Sequence, residues 1–286
     1  IQRELFMGCT SLEHIDFPEG VTTIDYFAFK GCANLASVLL PAQLEHIGDQ
    51  SFSGCKSLVE ITIPQSVSMI ESYAFQMCDN LKMVYYNAIH AESLGDCFPA
   101  SLTTVVVGPE VESVPASLFL FCDNLTTLYY NAIHASSCRF GLALTKVVIS
   151  EGEETIPAGF VSGCSDLTSI TLPASVDSVG NYAFEGCLGL RELHCQNPVP
   201  PGVGDEGVFY AVENCTLCVP IGSKPFYAEA SGWSEFTDIV EEEPQSLASV
   251  PESSVSISVS YSVDGKPMLD DAPGLRIARG RKVVKY

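Results

Sequence analysis

Hydrophobic positions recur along the chain in one register that restarts every 23 residues. The register reads Cys-x-x-Leu-x-x-[Ile/Val]-x-[Ile/Leu/Phe]-Pro. Six copies share one phase and begin at Cys9, Cys32, Cys55, Cys78, Cys164 and Cys187. A fixed period of this length is typical of a solenoid, in which each copy forms one coil of a stack.

One copy, residues 58–78, follows neither a single helix nor a single strand throughout. Ile61-Thr-Ile63 alternates as a short strand does, and Pro64 ends that strand because it has no N–H for the ladder. Further positions point back to a shared interior: Val67, Ile70, Ala74, Phe75 and Cys78. Because a unit of this size cannot close such an interior alone, neighbouring copies must stack to bury it.

The same register continues through the less regular middle of the chain. Its leucines mark coils at Leu12, Leu35, Leu58, Leu81, Leu102, Leu125, Leu144, Leu167 and Leu190. The two shortened spacings, after Leu81 and Leu125, each include a copy of Tyr-Tyr-Asn-Ala-Ile-His-Ala, at 85–91 and 129–135. This pair of copies indicates that a two-coil unit was duplicated as a whole.

Two return segments, 24–32 and 179–187, share the pattern [Ile/Val]-x-x-x-Ala-Phe-x-Gly-Cys. With the preceding Leu-x-x-Ile-x-[Ile/Leu]-Pro strand, they resemble the unit of the BspA-like leucine-rich repeat family of bacterial surface and secreted proteins, over roughly 1–240. Tyr86 and Tyr130 depart from that unit by replacing its inward Ile or Leu. The resemblance implies an α/β-type repeat solenoid dominated by short β-strands, a right-handed coil with a parallel sheet on its concave face. It also implies a secreted or cell-surface location.

Three segments are predicted along the chain. Residues 1–240 form a solenoid of about ten coils, and an altered final coil followed by large apolar groups predicts a closing cap near 215–240. An acidic run, a proline and a serine-rich stretch predict a linker over 241–254. Residues 255–286 form a small C-terminal β tail.

The tail has the alternation and turn residues of a small sheet. Residues 255–263 alternate strictly, Asp264–Gly265 is a hairpin turn, and 275–277 with 283–284 form further strands. Its glycines and basic residues resemble the C-terminal sorting or anchoring modules of Bacteroidetes-type exported proteins. The alternative is a β-hairpin whose basic side docks on the acidic repeats.

Charge is distributed unevenly between the repeats and the tail. Residues 1–244 hold 31 acidic and 8 basic residues, whereas 245–286 hold 4 and 6, which gives the net charge of −21. Such an acidic body disfavours nucleic acid and anionic lipid as partners, and leaves cationic proteins, neutral glycans and divalent cations open. The simpler interpretation is that the acidity keeps a long stack soluble.

The termini and the hydropathy bear on export. The sequence has neither a transmembrane run nor a signal peptide, so we expect no direct membrane insertion by this chain. Because Ile1 lies inside an incomplete repeat, we expect that an N-terminal segment has been removed. Export therefore follows here from the family resemblance alone.

Cysteine and histidine positions predict packing rather than chemistry. Seven cysteines share one repeat phase, which favours buried free thiols over disulfides. Cys215 and Cys218 lie in a predicted strand, where residues three apart face opposite ways, so the pair indicates neither zinc nor redox chemistry. His90 and His134 share a phase but lie two coils apart, roughly 10 Å, too far to share a metal. With no catalytic motif either, we expect no enzyme, no cofactor and no metal.

Function is therefore expected on the outward positions of the strands. Tyr85, Val106, Tyr129 and Val148 are predicted to form an exposed apolar and aromatic row, flanked by Thr104 and Thr127. Such a row suits a protein segment or a sugar ring. The alternative is that these residues reflect only β-propensity and cross-strand stacking.

The sequence thus predicts a non-enzymatic, adhesin-like protein, a monomer that binds an extracellular protein through its concave strand face. One alternative is a glycan-binding surface protein. Another is a structural spacer without a ligand of its own, a rod of ten or so coils and about 50 Å in length.

Overall fold

Each coil contributes one short strand to a first row of parallel strands. The structure, a computed structural model, describes residues 1–115, 117–119, 121–132, 140 and 142–244, and the short strands 260–261 and 267–268. The first row consists of β1 His14–Ile15, β3 Ser37–Val38, β5 Glu60–Ile63, β7 Met83–Tyr86, β9 Thr104–Val107, β10 Thr127–Tyr130, β11 Lys146–Ile149, β13 Ser169–Leu172, β15 Glu192–Cys195, β17 Thr216–Pro220 and β18 Asp238–Glu242. Every hydrogen-bonded pair within it is parallel. The predicted parallel-strand solenoid of about ten turns is confirmed.

In seven coils of the described chain, a two-residue strand follows the first-row strand and contributes to a second row. Its members are β2 Thr23–Ile24, β4 His46–Ile47, β6 Met69–Ile70, β8 Glu92–Ser93, β12 Thr155–Ile156, β14 Ser178–Val179 and β16 Gly202–Val203. The order β2-β4-β6-β8 and the order β12-β14-β16 are again parallel. Both rows therefore place equivalent residues of successive coils side by side.

Return segments such as 26–31 and 49–54 consist of turns, and their backbone bonds to the next coil. The N–H of Phe29 donates to the carbonyl oxygen of Ser51 at 2.7 Å, and that of Phe52 donates to Ala74 at 2.9 Å. Such bonds satisfy backbone groups that a helix would otherwise satisfy internally. Gly48 permits the close approach, because a Cβ there would lie 2.9 Å from the backbone of Asp25 and Tyr26.

A stack of phenylalanine rings fills the interior on the return side. Phe29, Phe52, Phe75 and Phe98 are fully or almost fully buried, and neighbouring ring centroids lie 5.1–5.3 Å apart with nearly parallel planes. The parallel arrangement of the rings changes at Phe140. Its ring stands perpendicular to that of Phe160, and the two centroids lie 6.5 Å apart. The stack is thus regular in the N-terminal coils and altered beyond the middle of the chain.

Cysteine thiols form a second interior row beside the rings. The Sγ atoms of Cys55 and Cys78 donate to the carbonyl oxygens of Phe29 and Phe52 at 3.3 and 3.2 Å. All cysteines among the described residues are free thiols; Cys138 lies outside them. Burial raises the pKa of Cys187 to about 12, so this thiol is a packing group. Cys9 differs from the predicted row and is exposed, because it belongs to the first coil of the described chain.

Two tyrosines and one glutamate stand at interior positions that aliphatic residues fill elsewhere. Tyr86 and Tyr130 are fully buried, as their inward positions predict. Glu153 is 1% exposed at the position that Val176 occupies one coil later. Neither oxygen of its carboxyl group has a hydrogen-bond partner among the residues that the structure describes. Burial, with a smaller effect of Glu154, raises the pKa of Glu153 to about 8. The buried carboxyl of Glu153 is therefore expected to destabilise the core.

Helix α1, Lys224–Glu229, and a 3-10 helix, Trp233–Glu235, precede the last strand. Tyr227 and Trp233 are fully buried. The hydroxyl of Tyr227 donates to the carbonyl oxygen of Asn197, and Nε1 of Trp233 donates to that of Pro201, both at 2.7 Å. These two anchors fix the helical segment against the preceding coil.

The chain divides into two compact units, Ile1–Ser253 and Ser254–Tyr286. The strand β18 runs through Glu242, two residues into the segment expected as a linker. In the second unit, β19 Ser260–Tyr261 and β20 Pro267–Met268 pair antiparallel. The turn predicted at Asp264–Gly265 and the strands predicted at 275–277 and 283–284 lie outside the described residues.

Candidate interaction surface on the strand face

The strand face is the outward side of the first row, and the predicted site residues meet there in register. Tyr85 pairs with Val106, Val106 with Tyr129, and Tyr129 with Val148, across β7, β9, β10 and β11. Thr104 and Thr127 pair with each other two residues earlier. The structure therefore brings all six predicted residues into one patch.

The exposure predicted for the apolar row is wrong for three of its four members. Tyr85, Val106 and Val148 are only 6%, 5% and 8% exposed. Each has neighbours in the adjacent coils, about 4.8 Å away, that cover the flanks of its side chain. Tyr129 is half-buried, as are Thr104 and Thr127. The accessible part of the patch is thus smaller and more polar than the pattern predicts.

Charged groups border this patch on both sides. Nζ of the exposed Lys146 lies 5.6 Å from the centroid of the Tyr129 ring, within range of a cation–π interaction. Burial, and to a smaller extent the carboxylate of Glu60, raises the pKa of the Tyr85 hydroxyl. Tyr85 therefore stays neutral at physiological pH.

His46 and His90 occupy separate places, and each lies beside a carboxylate. Nε2 of His46 lies 2.8 Å from Glu71, and Nε2 of His90 lies 2.9 Å from Glu112. His134 lies outside the described residues, so its spacing from His90 stays a prediction. No catalytic arrangement of His with Ser or Cys follows from these pairs.

A cluster farther along the strand face was not predicted from the sequence. His194 and Cys218 pair across β15 and β17, and Nδ1 of His194 lies 2.7 Å from an oxygen of Glu242 on β18. The equivalence of His194 and Cys218 was visible in the repeat. Glu242 was not, because the acidic run suggested a linker.

Among the described residues, no helix combines the length and the apolar composition needed to cross a bilayer. No curated protein sequence matches the chain. The repeat fold and its family are generally non-enzymatic.

Solved structures similar to this chain come from several bacteria. A leucine-rich repeat protein of Bacteroides ovatus is 20% identical over 85% of this chain and 87% of its own, with a TM-score of 0.33. A leucine-rich cell surface protein of Faecalibacterium prausnitzii is 21% identical over 80% of this chain and 66% of its own, with a TM-score of 0.36. The pneumococcal vaccine antigen PcpA is 18% identical over 81% and 80%, with a TM-score of 0.27.

The repeat itself gives the family. The model of the BspA type leucine rich repeat region matches six copies, over residues 1–126 and 131–216. These ranges hold the strands β1 to β9 and β11 to β16, and β10 falls in the four-residue gap between them. The chain therefore belongs to the BspA-type leucine-rich repeat family.

Proposed function

We propose that this chain is a non-enzymatic bacterial protein, secreted or held at the cell surface, that binds an extracellular protein through its strand face. One observation carries the proposal: Tyr85, Val106, Tyr129 and Val148 stand in register on four consecutive paired strands. A ladder of this kind holds its side chains in fixed positions before a ligand arrives. Preorganisation lowers the entropic cost of binding.

Within this surface Tyr129 is the best anchor. It is half-buried and flanked in register by Val106 and Val148, so its ring loses little freedom on binding. Tyrosine is enriched among residues that dominate interfaces, because it combines a large apolar area with a hydroxyl. Thr104 and Thr127 add hydroxyl groups at its border, and Lys146 adds a positive charge.

The location at the cell surface is inferred from the family and from relatives of known structure. The Faecalibacterium prausnitzii relative is described as a cell surface protein, and PcpA as a vaccine antigen. The acidic repeat body favours a partner with a basic or neutral contact surface and disfavours nucleic acid. A chain of this kind is expected to act as a monomer.

Binding to arrayed extracellular-matrix proteins and glycans tests the proposal. The wild-type chain is compared with Tyr129→Ser and with Tyr210→Ser, a control that removes a tyrosine 70% exposed in a turn of a return segment. Far-ultraviolet circular dichroism and the unfolding midpoint establish that the variants are folded.

We expect the wild type and Tyr210→Ser to bind the same matrix protein, and Tyr129→Ser to bind it at least tenfold more weakly. Equal binding by all three chains would remove the site from the strand face. Binding confined to glycans would make the chain a glycan receptor, and binding to nothing on either array would favour the spacer.

A further inference from the structure

Three metal-binding side chains meet on the strand face at the last three coils. His194 on β15, Cys218 on β17 and Glu242 on β18 each present one ligand atom, and these atoms all lie within 4.8 Å of one another. His194 and Cys218 are each 7% exposed, and the side chain of Glu242 is 26% exposed. The cluster is thus enclosed on the strand side and open to solvent at the carboxylate.

The repeat architecture explains why these three residues converge. His194 and Cys218 occupy equivalent positions on adjacent strands, and the next residue in that row is Val240. Glu242 lies two residues after Val240 on the same side of the strand, and its carboxylate approaches Nδ1 of His194 at 2.7 Å. The donors therefore come from three separate coils and are held by the parallel ladder.

We propose that His194, Cys218 and Glu242 bind one Zn²⁺ ion. A nitrogen, a sulfur and an oxygen donor form a ligand set typical of zinc, with a fourth tetrahedral position left for water. Calcium and magnesium are disfavoured, because both prefer oxygen ligands throughout. The ion would enter between Nδ1 of His194 and the carboxylate of Glu242, and replace their hydrogen bond.

The surroundings match those of a histidine ligand. Nε2 of His194 lies 3.4 Å from a carboxylate oxygen of Glu192, so this group can accept the remaining ring N–H and orient Nδ1 toward the ion. Burial, and then the carboxylates of Glu242, Glu192 and Asp238, raise the pKa of Cys218 to about 11. Zinc would therefore displace the thiol proton on binding and neutralise part of this negative cluster.

A zinc ion here would tie together the last three strands of the first row. β18 is the last strand in the order of its sheet, and among the described strands it pairs only with β17. A metal bond from β15 through β17 to β18 adds a link beyond the ladder hydrogen bonds. This proposal does not depend on the ligand-binding function proposed above.

Titration with Co²⁺ and Zn²⁺ tests the proposal. Cobalt reports the ligand set, because a thiolate gives a sulfur-to-cobalt charge-transfer absorption and tetrahedral coordination gives intense visible bands. Calorimetry with Zn²⁺ gives the stoichiometry and the affinity. The variants are Cys218→Ser, His194→Asn and Glu242→Gln, beside the control Cys215→Ser, which removes a nearby buried thiol that is not part of the cluster.

We expect one Zn²⁺ per chain, with the affinity lowered at least tenfold by each cluster variant and unchanged by Cys215→Ser. The cobalt charge-transfer band should disappear in Cys218→Ser and persist in Cys215→Ser. Unfolding midpoints measured with a chelator show which variants are folded, and the zinc-induced rise in midpoint should be lost with the affinity. Absence of zinc binding by the wild type, or equal binding by Cys218→Ser, would overturn the site.

Discussion

The interior of the solenoid repeats the same residue types from coil to coil, whereas its strand face varies. At one interior position the same residue recurs, as Phe29, Phe52 and Phe75, and the rings stack at nearly constant distance. On the strand face, residues paired in register change type from Thr127 to Lys146. Packing at close density constrains every interior position, whereas a solvent-facing position must only tolerate its neighbours. The interior therefore determines stability and leaves the face available for recognition.

The largest loss of stability is expected from an interruption of the ring stack. Phe52→Ala leaves a cavity between Phe29 and Phe75, and we expect it to lower the free energy of unfolding by about 3–5 kcal/mol. The control Phe121→Ala removes a ring that is 57% exposed, and its effect should lie within about 0.5 kcal/mol. Urea denaturation of both variants measures the difference; similar losses would contradict the ring stack as the main interior support.

Glu153 offers the opposite change, a repair of the interior. Glu153→Val installs the side chain that Val176 provides one coil later, and we expect a gain of about 3 kcal/mol at pH 7. Burial raises the pKa from 4.5 to about 8, so at pH 7 the carboxyl stays protonated in the folded chain and is ionised in the unfolded one. The pH interval from the unfolded pKa of 4.5 to pH 7 therefore sets the size, at about 1.4 kcal/mol per unit. The control Glu151→Gln alters an exposed carboxyl, and its effect should be small.

The same carboxyl predicts a pH dependence with a definite sign. Between pH 4.5 and pH 8 the folded chain keeps the Glu153 proton that the unfolded chain releases, so stability decreases as pH rises through this window. The stability difference between Glu153→Val and the wild type should therefore grow from pH 4 to pH 8. A constant difference across this range, measured by urea denaturation, would show that the carboxyl titrates normally.

A smaller interior effect is expected in the thiol row. Cys78→Ala removes a fully buried Sγ that donates to the carbonyl oxygen of Phe52, and we expect a loss of about 1–2 kcal/mol. Cys9→Ala alters an exposed thiol and should leave the unfolding midpoint unchanged. Equal sensitivity of the two positions would mean that the row contributes nothing by packing.

Much of the fold is readable in the sequence because the interior repeats. The 23-residue register identifies the strands, and the inward positions of Tyr86 and Tyr130 follow from alternation. Alternation gives the direction of a side chain but not its exposure, which depends on neighbouring coils. For this reason Tyr85, Val106 and Val148 point outward as predicted and are nevertheless buried.

Two other features could not be found by the register alone. Glu153 stands at a position of its repeat that aliphatic residues fill in other coils. This mismatch can be seen in the sequence, but a repeat pattern averaged over all coils hides it. The cluster at His194 depends on Glu242, which belongs to a strand that lacks the repeat motif and begins after the cap helices. Its proximity results from tertiary packing of the final coil, not from spacing along the chain.

The burial of Tyr85 also changes how the strand face is best tested. A substitution there would open a cavity, so a loss of binding would be confounded with a loss of packing. Tyr129 is half-buried and can be shortened at lower cost. The contrast between the interior and the strand face can then be tested by comparing one residue of each, Phe52 and Tyr129.

The decisive measurement is the affinity of Tyr129→Ser for the array-identified matrix protein, taken together with its unfolding midpoint and compared with Phe52→Ala. We expect Tyr129→Ser to lose at least tenfold in affinity while its midpoint stays close to that of the wild type. Phe52→Ala should lose stability and, wherever it remains folded, keep the wild-type affinity. Unchanged affinity in Tyr129→Ser, or a loss of affinity in folded Phe52→Ala of the same size, would contradict the division between a stabilising interior and a binding face.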